Sequence, residues 1–274
     1  MVSSRDEVFP CKRGATSEFF VKVLEPAELT GPTIVFLHDL FDYHGVYLDF
    51  AEQLAQAGHT VHLIDFPGFG RSSGARGVID RHDDLIDNIE EYLISLPENV
   101  ILGGHAFGAL ISIRVLHRQG LPAQKNLLGL ILSNPLLRLK QGIPEAGRFV
   151  FERLSDPFDL VPLPWKLNSV DRGSTLIHDD PLVRNQLILR SFREVEKLTK
   201  LEQNASYLID VPTLTTLPGS DTIGSISYAR LFTKAIDPEL STLIEYERKV
   251  RDLLANQSGP EAVKDVLTWL KERY

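Results

Sequence analysis

Val100-Ile101-Leu102-Gly103-Gly104-His105-Ala106-Phe107-Gly108-Ala109-Leu110-Ile111-Ser112-Ile113 is the stretch on which the reading of this chain turns. Val100–Leu102 is an apolar run and reads as a short buried strand. Two glycines follow, and helical spacing of apolar residues begins at Phe107. Gly104-His105-Ala106-Phe107-Gly108 has the frame of a nucleophile elbow, G-x-S-x-G, with alanine in the place of serine. In such an elbow a strained strand-to-helix turn pushes the middle residue out at the top of a sheet. Its glycines leave room where a side chain would collide with a neighbouring strand or helix. The middle residue here is Ala106, and a methyl group cannot attack a carbonyl carbon.

Working outward, Phe19–Leu24 and Thr33–Leu37 read as strands, the second continuously apolar, as suits a strand covered on both faces. Tyr47–Ala57 is an amphipathic helix ended by Gly58. Thr60–Asp65 is a strand, and Asp84–Leu96 a helix with Leu85, Ile86, Ile89, Leu93 and Leu96 at helical spacing. After the elbow and its helix, which runs to about Gln119, comes a further buried strand, Gly129–Leu132. This alternation predicts a mostly parallel sheet with right-handed crossovers. It breaks from about Leu136 to Leu208, where prolines and helical pieces occur without a convincing strand. It resumes with Thr213–Leu217, a helix over Ser225–Ala235, Ser241–Glu245 and a final helix over Pro260–Lys271. The expected organisation is an α/β core in two parts, residues 1–137 and 209–274, with a helical cap inserted at 138–208.

The composition narrows the function. A net charge of −8 and the lack of Lys/Arg runs argue against nucleic acid as a partner. Cys11 is the single cysteine, so no internal disulfide forms, which fits a reducing, cytoplasmic setting. No apolar run approaches the length of a membrane span, and the N-terminal residues lack the apolar core of a signal peptide. Gly68, Gly70 and Gly74 complete no phosphate-binding motif. The acidic pairs Asp83-Asp84 and Asp179-Asp180 have no matching ligands, so neither a cofactor nor a metal is expected.

Several segments in order resemble the monoacylglycerol lipase and lysophospholipase group of α/β hydrolases. They are Phe36-Leu37-His38 with Gly45 and Tyr47; Asp65-Phe66-Pro67-Gly68-Phe69-Gly70-Arg71-Ser72-Ser73-Gly74 with Arg76-Gly77; the elbow; Gly129–Pro135; and Asp180-Pro181-Leu182-Val183. The resemblance implies a sheet of about eight strands, a helical cap, and ancestors that cleaved ester or amide bonds, often in lipids. It also implies a triad met in chain order as Ser, acid, His. The serine place is Ala106. The acid place is best matched by Asp221, in a loop one residue shorter than usual after Gly219. The histidine place falls on Arg251. All eight histidines precede Asp221, so none can fill it. Arginine stays protonated at any working pH and cannot shuttle a proton.

The oxyanion-hole place also departs from the group: His38-Asp39-Leu40 stands where a glycine and a small residue are usual. The backbone N–H groups of Leu40 and Phe107 are the candidate donors, and Asp39 brings negative charge close to them. His38 is expected to orient its loop, and His105 to be packed away from the pocket. His38 and Asp39, with Phe149, Phe151, Phe158 and Trp165 of the cap, are the candidate lining of an apolar pocket. The expectation is a protein without hydrolase activity that binds a small apolar or lipid-like molecule or a protein partner. The alternative is a serine ester or lipid hydrolase carrying an engineered Ser-to-Ala change at 106. Arg251 and Asp39 favour natural loss, because one engineered change does not explain them. An ion pair between Asp221 and Arg251, shared with Asp39, is expected in place of a proton relay.

Overall fold

Thr33–Leu37 (β3), Val61–Ile64 (β4), Val100–His105 (β5) and Leu127–Ser133 (β6) carry apolar side chains on both faces, which a strand tolerates only in the interior of a covered sheet. They form its centre. The computed structural model describes residues 1–96, 99–118, 127–140, 159–166, 180–184, 186–255 and 259–274. With Ser3–Pro10 (β1), Glu18–Glu25 (β2), Thr213–Pro218 (β9) and Ser241–Tyr246 (β10) they make an eight-stranded sheet in the order β1-β2-β4-β3-β5-β6-β9-β10. The β1–β2 and β2–β4 pairs are antiparallel and the remainder parallel. The expected mostly parallel sheet of about eight strands flanked by helices is therefore what the chain builds. The edge strand β1 was not foreseen: its charged residues Arg5, Asp6 and Glu7 leave it without an apolar face to read.

Alternation along β5 divides the core. Val100 and Leu102 point to one layer, where His82–Ser95 (α2) and Phe107–Arg118 (α3) pack. Ile101 points to the other, shared with Leu48–Gln56 (α1) and Pro260–Arg273, the last helix. Gly58 lies just past α1 with φ +99°, the left-handed stop its sequence position suggested.

Among the described residues of 138–208, one pairing differs from expectation. Pro162–Lys166 (β7) and Gln186–Ile188 (β8) pair antiparallel in a stretch read as free of strands. Such pieces are too short, and too rich in proline, to show a period of two in the sequence. The chain then enters Leu189–Glu202 (α4), which packs against α2 and α3.

Two buried histidine–glutamate pairs fasten α4. His82 donates from Nδ1 to Glu194 Oε2 at 2.7 Å, and its backbone N–H reaches the same oxygen at 3.1 Å. His117 Nδ1 lies 2.5 Å from Glu202 Oε2. Ser191 Oγ accepts from Ile79 N–H and donates to the carbonyl of Gly77. Burial opposes ionisation of Glu194, but His82 and Lys197 outweigh it and bring the carboxyl down to about 2. A depressed carboxyl contributes stability above its unfolded pKa and loses it as pH falls through the folded one. The drop from 4.5 corresponds to at most about 3 kcal/mol. Glu194→Gln is therefore expected to be less stable than the parent by about that amount at pH 7, and by less than half of it near pH 3. Urea titrations at the two pH values check this; a gap that does not change with pH would refute it.

Candidate functional site

The elbow forms as its glycines require. Ala106 has φ +47°, a left-handed conformation costly for a residue with a Cβ. Its N–H donates to the carbonyl of Ser133 at 2.9 Å, and its carbonyl accepts from Leu110 and Leu136. A Cβ on Gly104 would stand 2.3 Å from the backbone carbon of Gly108. One on Gly108 would stand 2.1 Å from the Leu37 carbonyl oxygen and 2.7 Å from that of His38. Only glycine lets the start of α3 come so close to the end of β3. That approach sets the Phe107 N–H beside Asp39.

A second close approach joins the other two loops. A Cβ on Gly219 would stand 1.8 Å from the Glu247 carbonyl oxygen. The N–H groups of Gly219 and Ser220 both donate to the carbonyl of Lys249. The loop after β9 is thereby stitched to the loop after β10, and Asp221 and Arg251 are brought together.

Among the described residues Arg251 is the largest fully buried side chain, 1% exposed. Its Nη1 donates to Asp221 Oδ2 at 2.7 Å and its Nη2 to Asp39 Oδ2 at 2.7 Å. The expected Asp221–Arg251 pair is present and shared with Asp39. Asp39 Oδ1 accepts the Phe107 N–H at 3.2 Å, so a carboxylate oxygen rests on one of the two candidate oxyanion donors. Leu40, the other, is buried, and so are Ala106 and Phe107. Burial would draw the Arg251 guanidinium down, but Asp221, Asp39 and Asp252 hold it well above its ordinary value. Burial would likewise push the Asp221 carboxyl up; Arg251, the N–H of Ile223 and the Asn134 amide overcome this and hold it below the usual carboxylate range. Arg251 and Asp221 are therefore both charged throughout the neutral range.

Asn134 donates from Nδ2 to Asp221 Oδ2 at 2.8 Å and was not foreseen. It sits at φ +47° just after β6, and an Asn in that position is the one signal that could have marked it. His38 Nε2 accepts the N–H of Phe66 at 2.9 Å, so the proton lies on Nδ1, which donates to the Asp39 carbonyl. Burial lowers its pKa, leaving it neutral and fixing the loop that carries Asp39.

His105 turns away from Ala106 to the opposite layer. Its Nδ1 is 3.0 Å from Ser133 Oγ and its Nε2 3.4 Å from Asp252 Oδ1. Serine, histidine and aspartate meet there, but His105 and Ser133 are wholly buried and no substrate reaches them. Among the expected pocket residues, Phe149, Phe151 and Phe158 lie outside the described residues, and Trp165 is placed only by its strand, β7. Asp159, shortly before β7, pairs with Arg190 at 2.7 Å and with Arg193 at 3.3 Å. Among the described residues no group of histidine, cysteine and carboxylate side chains has the geometry to hold a metal ion, and no helix is long and apolar enough to cross a membrane.

This sheet order, elbow and loop arrangement define an α/β hydrolase fold of the monoacylglycerol lipase-like group. More closely, the chain belongs to the serine aminopeptidase S33 family, which it matches over residues 30–257. It is 33% identical over 118 residues to the phospholipase YtpA of Bacillus subtilis, a match taking in 41% of this chain and 44% of that protein. It is 24% identical over 270 residues to a monoglyceride lipase homolog of monkeypox virus, covering 93% and 94% of the two chains. The crystal structure of the monoacylglycerol lipase of Paleococcus ferrophilus superposes with a TM-score of 0.78 at 19% identity over the full length of both chains, a likeness of fold.

Proposed function

We propose that this chain is a non-catalytic member of its family that works by binding. The observation that carries the reading is Arg251, which stands where a general base belongs and spends its protons on Asp221 and Asp39. Acyl transfer needs a nucleophile, a group that takes its proton, and donors for the developing oxyanion. A methyl group fills the first place and a permanently charged guanidinium the second. A carboxylate already accepts the Phe107 N–H that would serve the third. Ala106 has no measurable accessible surface, so not even a water-sized void adjoins it.

The ligand that descent favours is a monoacyl lipid, because relatives are named as a phospholipase and a monoglyceride lipase homolog. Such a ligand would lie away from the buried Ala106. The single cysteine, half-buried and unpaired, favours a cytoplasmic setting.

The second reading is an engineered Ser-to-Ala change, since Ala106 keeps the left-handed φ of the middle residue of a nucleophile elbow. Ala106→Ser separates the two. It is expected to react with no fluorophosphonate probe and to hydrolyse nitrophenyl acetate and monoglyceride no faster than a heat-treated control. Stoichiometric labelling of Ser at 106 would overturn the non-catalytic reading. Native mass spectrometry of the parent with added monoglyceride or lysophospholipid tests the binding function; a spectrum without a one-to-one adduct would refute the lipid assignment.

A further inference from the structure

The first turn of α3 already holds an anion, and the anion is part of the chain. Asp39 Oδ1 accepts the Phe107 N–H at 3.2 Å while Asp39 Oδ2 accepts Arg251 Nη2 at 2.7 Å. A backbone donor and one arm of a guanidinium thus grip the two oxygens of a single carboxylate. Asp39, Phe107 and Arg251 are each no more than 1% exposed. The guanidinium is itself held from behind by Asp221, and its buried Nε has no hydrogen-bond partner, lying 4.0 Å from Asp252 Oδ1. Chemically, the gripped group is a carboxylate tied to the backbone through one methylene.

We propose that this place is a carboxylate-binding site occupied by the chain's own Asp39, which closes it as an internal ligand. A small free carboxylate takes the same position once that side chain is removed. The inference rests on the proposed reading of Arg251 as a group that binds and does not transfer protons. A carboxylate fits better than other anions for two reasons. The two donors address two oxygens of one planar group, the geometry in which guanidinium and amide N–H recognise carboxylates. Asp221 and Asp252 stand nearby, so a divalent anion would meet repulsion that a monovalent one meets at half strength.

Asp39→Ala vacates a volume the size of formate. In sodium chloride this variant is expected to melt below the parent. In sodium formate at equal ionic strength, near about five times the dissociation constant, it should melt about 2–4 °C higher than in chloride. The parent, whose site is filled, should melt at the same temperature in both salts. Asp39→Leu, which fills the space with an apolar group, should show no formate response. Adding Arg251→Gln to Asp39→Ala should abolish it. If Asp39→Ala does not fold in chloride, refolding yield from urea in formate against chloride reads the same occupancy. Equal melting or equal yield in the two salts for Asp39→Ala, or a formate response as large in the parent, would overturn the proposal. Hydrolase activity in the Ala106→Ser variant would instead overturn the non-catalytic reading, and the two results are obtained separately.

Discussion

Arg251→Ala is expected to lower the unfolding free energy by roughly 3–5 kcal/mol, the cost of breaking a buried ion pair from one side. The guanidinium serves two carboxylates at 2.7 Å each, and all three side chains are about 1% exposed. Its removal leaves Asp39 and Asp221 buried near each other without a counter-charge, and opens a cavity where a large, fully buried side chain had been. Net stabilisation by the intact cluster is a separate matter, because desolvation offsets much of its Coulomb attraction. The asymmetry is between keeping all three groups and losing one. Arg248, three residues earlier, is exposed, and Arg248→Ala should change stability by no more than about 0.5 kcal/mol. Thermal melts of the two variants decide the matter. The first should fall about 6–20 °C below the second, and equal melting temperatures would show that the cluster does not hold these loops together.

The second large effect lies at the elbow. Gly108→Ala should destabilise by about 3 kcal/mol or more, at the upper end of overpacking costs. The atoms its Cβ would strike are the Leu37 carbonyl carbon and oxygen and the His38 oxygen, between 2.1 and 2.7 Å away. All belong to backbone in or next to the central strand β3, so no side chain can swing aside. Relief requires α3 to move off the sheet, which would also pull the Phe107 N–H from Asp39. Gly14→Ala is the comparison. Gly14 has φ +80°, but a Cβ there meets nothing nearer than 3.5 Å. Its cost should be the backbone strain alone, about 1–2 kcal/mol. Urea midpoints that place Gly108→Ala level with Gly14→Ala would refute the close-approach argument.

The sequence by itself determined seven of the eight strands of the sheet, the elbow and the identity of the three odd residues, because each is written locally. Apolar runs such as Thr33–Leu37 and Val100–Leu102, short and alternating with helical segments, suit doubly covered strands. The elbow glycines answer contacts that any strand–turn–helix of this kind must make. Chain order alone excluded a histidine after Asp221. The edge strand β1, the β7–β8 pair and Asn134 were not legible, since short or charged strands and a lone amide carry no periodic signal. Only the tertiary structure decided that Asp39 Oδ1 sits on the Phe107 N–H while its other oxygen meets Arg251. It also decided that His105 reaches Asp252 on the opposite side of the sheet from Ala106. These contacts join residues from 68 to 212 positions apart in the chain. Their geometry is set by backbone approaches at Gly108 and Gly219, which sequence spacing does not encode because it depends on how three separate loops pack at one end of the sheet.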